Sequence, residues 1–168
     1  MHETYALLQS VVKACAALNQ PERGFAALDE ALRCQPGHKL FNVLAIDWDR
    51  GLNQRIYTSH PAAYPGCGAK PLRRDGVFFR QLVEAGESRI CRTREECRTT
   101  FPDFELIEQL GCQSAINVPI RRQGVTLGSL NLLDESGWYT PQMVPGLHRF
   151  GVLAAPLLRS ASQFRLHS

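Results

Sequence analysis

The side chains best equipped for covalent chemistry are six cysteines, at positions 15, 34, 67, 91, 97 and 112. A thiolate attacks a sulfoxide or peroxide, and a second thiol can resolve the product as a disulfide. Cys67 sits between two glycines. Cys91 and Cys97 stand among Arg92, Arg94 and Arg98, which are expected to lower a neighbouring thiol's pKa. Cys67, Cys91, Cys97 and Cys112 are therefore the candidate redox residues. Cys15 and Cys34 fall on helical apolar faces and are expected in the core. No pair has the C-x-x-C spacing and the five histidines are scattered, so neither a metal centre nor a cofactor is expected.

A second group of residues suits reversible binding. Ser114 to Ile120 and Val125 to Leu133 are β-rich runs joined by Arg121-Arg122-Gln123-Gly124, with glycine where a positive φ is wanted. Side chains alternate across a strand. One face of this hairpin carries Ser114, Ile116, Val118, Ile120, Leu130 and Leu132, and should pack on helices. The other carries Ala115, Asn117, Leu127, Ser129 and Asn131. With a one-residue bulge at Gly124, Asn117 falls opposite Ser129 and Ala115 opposite Asn131. Amides clustered on an inner face suit a polar ligand, because a dry core would strand their hydrogen-bonding groups. Tyr57 and Ser59 share a face of an earlier strand, and Tyr64 and Lys70 come from the loop that should cover it. Lys70 offers a point charge for a carboxylate or phosphate. Phe101 and Phe104 would close the apolar side.

The elements that must position these residues follow from periodicity and punctuation. Leu7, Leu8, Val11, Val12, Cys15 and Leu18 predict a helix from Thr4 to Leu18. Pro21 opens a second, with Phe25, Leu28, Ala31 and Leu32 on one face, which Pro36-Gly37 ends. Lys39 to Asp47 and Gln54 to His60 read as paired strands. The segment from Pro61 to Pro71 has a composition that argues against regular structure. Asp75 is placed to cap a short helix stopped by Gly86, and Ser88 to Cys91 reads as a short strand. Thr93 and Glu96 form a capping box, and Asp103 caps Phe104 to Leu110. Thr140-Pro141 begins a last helix that Pro145 and Pro156 should kink or delay. The sum is α+β with an antiparallel sheet, in one domain over 1–168: helices in 1–37, sheet and pocket loops in 38–139, and a closing helix in 140–168.

A hydrophobic share of 44% and a charged share of 21% match an ordinary globular protein. A net charge of +3 with only two adjacent arginine pairs argues against nucleic-acid binding. No apolar run reaches membrane-spanning length, and the first residues lack a signal peptide's basic region, so a cytoplasmic location is expected and no membrane partner.

The run from Phe41 to Asp47, Arg55-Ile-Tyr-Thr-Ser59, Tyr64-Pro65, Gly68, Lys70, Phe101-Pro-Asp103 and Leu110-Gly111 continues into Ser114, Asn117-Val-Pro119, Gly124, Leu127-Gly128, Asn131-Leu-Leu133 and Trp138-Tyr139-Thr140. In order and spacing these resemble a GAF domain of the stand-alone bacterial kind, over roughly 40–158. The resemblance implies a profilin-like, six-stranded antiparallel sheet. Long terminal helices would cover one face, and loops with short helices would cover a pocket on the other. It implies a sensory domain that binds a small polar or anionic metabolite, dimerises through its first and last helices, and signals through a separate output protein. Two alternatives stay open. One is a free methionine-R-sulfoxide reductase, since Gly66-Cys67-Gly68-Ala69 resembles that group's first cysteine loop. Its catalytic cysteine would, however, fall at Glu108. The other is a cysteine-based redox sensor.

Overall fold

The fold was analysed in a computed structural model that describes residues 2–16, 21–66 and 68–164. Two helices, α1 (His2–Ala16) and α2 (Pro21–Cys34), precede a hairpin of β1 (Leu40–Asp47) and β2 (Leu52–Thr58). β3 (Ala69–Pro71), a π-helical turn (Phe79–Glu84) and β4 (Arg89–Cys91) follow. Then come α3 (Arg94–Thr100), α4 (Phe104–Gln109), a second hairpin of β5 (Ser114–Arg122) and β6 (Val125–Asp134), a 3-10 turn (Pro141–Met143) and α5 (Val144–Phe164). The sheet runs β3-β2-β1-β6-β5-β4, antiparallel throughout. The two hairpins sit side by side in its middle, and β3 and β4 form its edges.

One face of the sheet is closed by α1, α2 and α5. Phe25, Leu28 and Leu32 from α2, and Leu147, Phe150, Ala154 and Leu158 from α5, meet Phe41, Val43, Ile116, Val118, Ile120, Leu130 and Leu132 in one apolar cluster. This is the face that strand alternation assigns to the helices. Gly151 lets α5 approach closely, since a Cβ there would stand 2.9 Å from the Pro119 carbonyl oxygen. Pro145 falls in the first turn of α5, where it costs no helical hydrogen bond, and the helix continues through Pro156. Cys15 is half-buried against this cluster, whereas Cys34, expected in the core, is exposed at the end of α2.

Several local expectations are corrected. The first predicted helix reaches Leu18, and its end lies outside the described residues. The loop from Pro61 to Pro71 ends in a strand, β3, because Asn53 and Gln54 on β2 offer an unpaired edge to Lys70 and Ala69. β2 begins at Leu52, two residues early. The Asp75 carboxylate does not cap the next helix but pairs with Arg73, and that helix is π-helical. Gly86, with φ +69, ends it as expected. The Thr93 hydroxyl accepts from the Glu96 amide at 3.2 Å, and the Glu96 carboxylate accepts from the Arg92 amide. Among the described residues no helix is long and apolar enough to cross a membrane.

The β5–β6 hairpin differs in register. Gln123 and Gly124 both have positive φ, so they form a two-residue turn and the strands pair up to Arg122–Val125. The extra residue lies further in, at Leu127, where the register shifts beside Ile120. Asn117 therefore stands opposite Asn131, not Ser129, and Ala115 opposite Leu133, not Asn131. Leu127 packs on the helix side instead of joining the amides.

Candidate functional site

The opposite face of the sheet is not one core. Near the start of β1, Leu40, Leu133, Ala115 and Cys91 pack with Tyr64, Cys97, Phe104, Ile107 and Cys112. Near its end, Ile46 packs with Leu72, Phe78, Phe79, Leu82 and Val83. Between these clusters the loop face turns polar. Thr58 on β2, Asn42 on β1, Asn131 on β6, Asn117 on β5 and Arg89 on β4 are successive register partners, so they form a row across five strands. Arg55 and Ser129 stand one step along their strands, on either side of Leu44.

The amides of this row bond to one another. Asn117 Nδ2 donates to Asn131 Oδ1 at 2.7 Å, and Ser129 Oγ donates to the same oxygen at 3.0 Å. Asn131 Nδ2 donates to Asn42 Oδ1 at 3.0 Å. Asn131 is thereby saturated. Asn117 Oδ1 is buried with no hydrogen-bond partner. A buried carbonyl left this way costs about 1–3 kcal/mol, and within the row this is the acceptor left open to a further donor. No overlying backbone accepts from Asn117 or Asn131 in this network; its partners are strand residues.

A charged cluster flanks the row. The Arg55 guanidinium stacks on the Tyr64 ring at 3.5 Å and donates to the Pro65 carbonyl at 2.7 Å. Tyr64 donates its hydroxyl to Asp103 Oδ2 at 2.7 Å; Arg55 reaches the same oxygen at 3.5 Å, and Lys70 Nζ lies 3.2 Å from Asp103 Oδ1. Burial alone would raise the Asp103 pKa, but the Tyr64 hydroxyl and the Lys70 ammonium outweigh it and hold the carboxyl below its ordinary range. Burial and the bond to Asp103 push the Tyr64 phenol up. Arg55 Nε is also buried without a partner. Two cations face one carboxylate here, and Arg89, whose Nη2 donates to Thr100 Oγ1 at 2.9 Å, adds a third at the far end of the row. Within this cluster and row three cations stand against the single carboxylate of Asp103.

The structure brings together Asn117, Ser129 and Asn131 in the row, and Tyr64 and Lys70 at Asp103. Tyr57 is corrected. Its hydroxyl donates to Asp29 Oδ2 on α2 at 2.8 Å, its ring packs on Phe25 and Phe41, and it faces the helices. The β1–β2 register shifts between Val43 and Leu44, which turns Ile56 and Tyr57 both toward the helix side. Ser59 Oγ accepts the Phe41 amide at 2.9 Å and so holds sheet backbone. Phe104 is buried in the thiol cluster and Phe101 packs against it. With Arg94, Arg98 and Asp103 they line an open cleft of about 700 Å³ over α3 and α4. A separate cleft of about 390 Å³ lies on the helix side, between Leu7 and Leu8 of α1 and Met143, Leu147 and Phe150.

Sequence reasoning missed Asn42, Arg55, Thr58 and Arg89 as site residues, and assigned Asp103 to a helix cap. The cap is absent because the Asp103 carboxylate is taken by Tyr64, Arg55 and Lys70. The signal was a polar residue inside an otherwise apolar strand, Asn42 in LFNVLAID.

Of the candidate redox residues, Cys67 lies outside the described residues. Cys91, Cys97 and Cys112 are buried in one cluster, all reduced. Two of the three arginines expected to activate them are otherwise engaged: Arg94 pairs with Glu108 and Arg98 with Glu95. Arg89 is the cation that favours the Cys91 thiolate.

No protein-family profile matches the chain, and no curated protein matches it. Solved structures do. The GAF domain of a phosphoenolpyruvate-protein phosphotransferase from Coxiella burnetii superposes with a TM-score of 0.73 at 14% identity, covering 98% of each chain. Free methionine-R-sulfoxide reductase from Neisseria meningitidis, solved with its substrate, gives 0.67 at 15% identity, over 96% of this chain and 91% of that one. The second GAF domain of DevS from Mycobacterium smegmatis gives 0.59 at 17% identity, over 88% and 99%. The chain has the GAF fold.

Proposed function

We propose that this protein is a sensory or regulatory GAF module that binds a small polar or anionic metabolite on the loop face of its sheet. The observation that carries this reading is the polar row Thr58–Asn42–Asn131–Asn117, buried and ending at the half-buried Arg89, with Asn117 Oδ1 unpaired inside it. The amides of the row satisfy one another, so the cost falls on the one acceptor they leave over, Asn117 Oδ1. The ligand donates to Asn117 and places its negative charge toward Arg55, Lys70 and Arg89. It acts in the cytoplasm, and α1 and α5, which leave Val12 and Val152 exposed, pair with a second copy. Output passes to a separate protein.

The test is a thermal-shift screen of carboxylated and phosphorylated metabolites, since a ligand that binds only the folded state raises Tm by mass action. A hit should lose most of its shift in Asn117→Ala and part of it in Lys70→Ala. A hit that ignores both variants, or a broad panel with none, removes the site. The reductase reading is weaker. Glu108 stands where the resemblance requires a cysteine, and its carboxylate is bound to Arg94. Turnover of methionine-R-sulfoxide with a thioredoxin system would favour it.

A further inference from the structure

Three of the described cysteines share one buried cluster, and two of them touch. Cys91 ends the edge strand β4 and is 2% exposed, and Cys97, at 0%, is the one buried residue of α3. The two thiols adjoin in this cluster, and the Cys91 thiol donates at 3.5 Å to Oγ1 of Thr100, on the same helix as Cys97. We propose that Cys91 and Cys97 are a reversible dithiol–disulfide pair whose oxidant is a small hydroperoxide, and that closing it fastens α3 to β4. The pair adjoins the end of the polar row at Arg89 but requires no ligand there.

The chemistry balances with that oxidant alone. The Cys91 thiolate attacks the distal peroxide oxygen, the O–O bond breaks, and the alkoxide or hydroxide leaves with the electron pair. The product is Cys91 sulfenic acid. Cys97 then attacks this sulfur, an S–S bond forms, and water departs with the Cys97 proton. A dithiol reductant returns the disulfide to the two thiols by exchange and leaves as its own disulfide. The environment divides the roles. The bond from the Cys97 thiol, the Thr100 hydroxyl and Arg89 favour the Cys91 thiolate against burial and hold its pKa below the ordinary thiol value. The same bond and burial push Cys97 up, so it stays protonated until a sulfenic acid faces it. Burial pushes Cys112 up to about 12, which leaves it a bystander.

Access follows from how α3 is held. Cys97 is the single buried anchor of a seven-residue helix, and short elements with few buried contacts open first. Phe101 and Phe104 wall the thiol cluster on one side and the open cleft on the other, so a water-sized oxidant has one layer of side chains to cross.

Tryptic mapping after peroxide treatment of the folded full chain tests this directly. Trypsin cuts after Arg89, Arg92, Arg94 and Arg98, so a closed pair appears as Ile90–Arg92 cross-linked to Glu95–Arg98, lighter than the two peptides by two hydrogens and lost on reduction. Cys112→Ser should keep that product. Cys97→Ser should instead leave Cys91 trapped by a sulfenic-acid reagent, with the fold confirmed by circular dichroism. Unchanged alkylation of Cys91 and Cys97 in oxidised wild-type protein, or a bridge to Cys112, overturns the assignment. The wild-type result decides even if a serine variant fails to fold.

Discussion

The two faces of the sheet are built from the same strands and meet opposite ends. On the helix face the apolar strand side chains meet α2 and α5 and merge with them into one cluster. On the loop face the apolar residues split into two groups, and the space between is given to amides, a serine and arginines. The difference shows where stability is made and where it is given up. A strand carries both tasks at once because alternation insulates them: Leu130 and Leu132 serve the core while Ser129 and Asn131, between and beside them, serve the row.

This contrast breaks most readily on the helix face. Leu130→Ala should cost about 2–5 kcal/mol in urea unfolding, through lost burial and a cavity, and leave any ligand shift per unit of folded protein intact. A cost under half of that, or lost binding, would mean the faces are not separate. Next comes the hub of the row. Asn131→Ala strands Asn117, Ser129 and Asn42, so it should cost about 1–3 kcal/mol, the range for a buried polar group left unpaired. Asn117→Ala removes a group already half-paired and should cost about 1 kcal/mol or less. Equal costs for the two would show that the row is not organised around Asn131.

The third effect depends on pH. The Asp103 carboxyl is held below its ordinary value, so its stabilisation is complete above about pH 4, the unfolded range for aspartate, and is lost as pH falls through the lower folded value. Acid titration of stability should therefore be shallower in Asp103→Asn than in wild type, and identical curves would dismiss the carboxylate as a hub. The smallest effect belongs to Lys70→Ala. Its half-exposed ammonium should contribute no more than about 1 kcal/mol, so a larger loss of stability would place it in the structure rather than at the rim of the site.

The assignment of hairpin residues to faces was legible because Ile116, Val118 and Ile120 against Asn117 is a strict period of two. Register was not, because one inserted residue, Leu127, moves every partner beyond it, and nothing in VTLGSLNLL announces which residue is extra. Tyr57 failed for the same reason at β2, where the irregularity beside Leu44 turned it toward Asp29. Asp103 looked like a cap because caps and ion-pair hubs use the same short carboxylate. Only the fold, which brings Tyr64, Lys70 and Arg55 to it from elsewhere in the chain, separates the two. Cys91 and Cys97 were visible as candidates, but their mutual contact depends on how α3 lies on β4.

The polar row crosses the strands at right angles, and this has a consequence for how such a module changes over generations. Each member sits on a different strand, between neighbours that point the other way. A mutation at Thr58, Asn42 or Asn117 therefore alters one side of the binding surface and leaves the packing of its own strand untouched. Ligand preference can drift one strand at a time, by single codon changes scattered along the gene, while the helix-side core stays fixed.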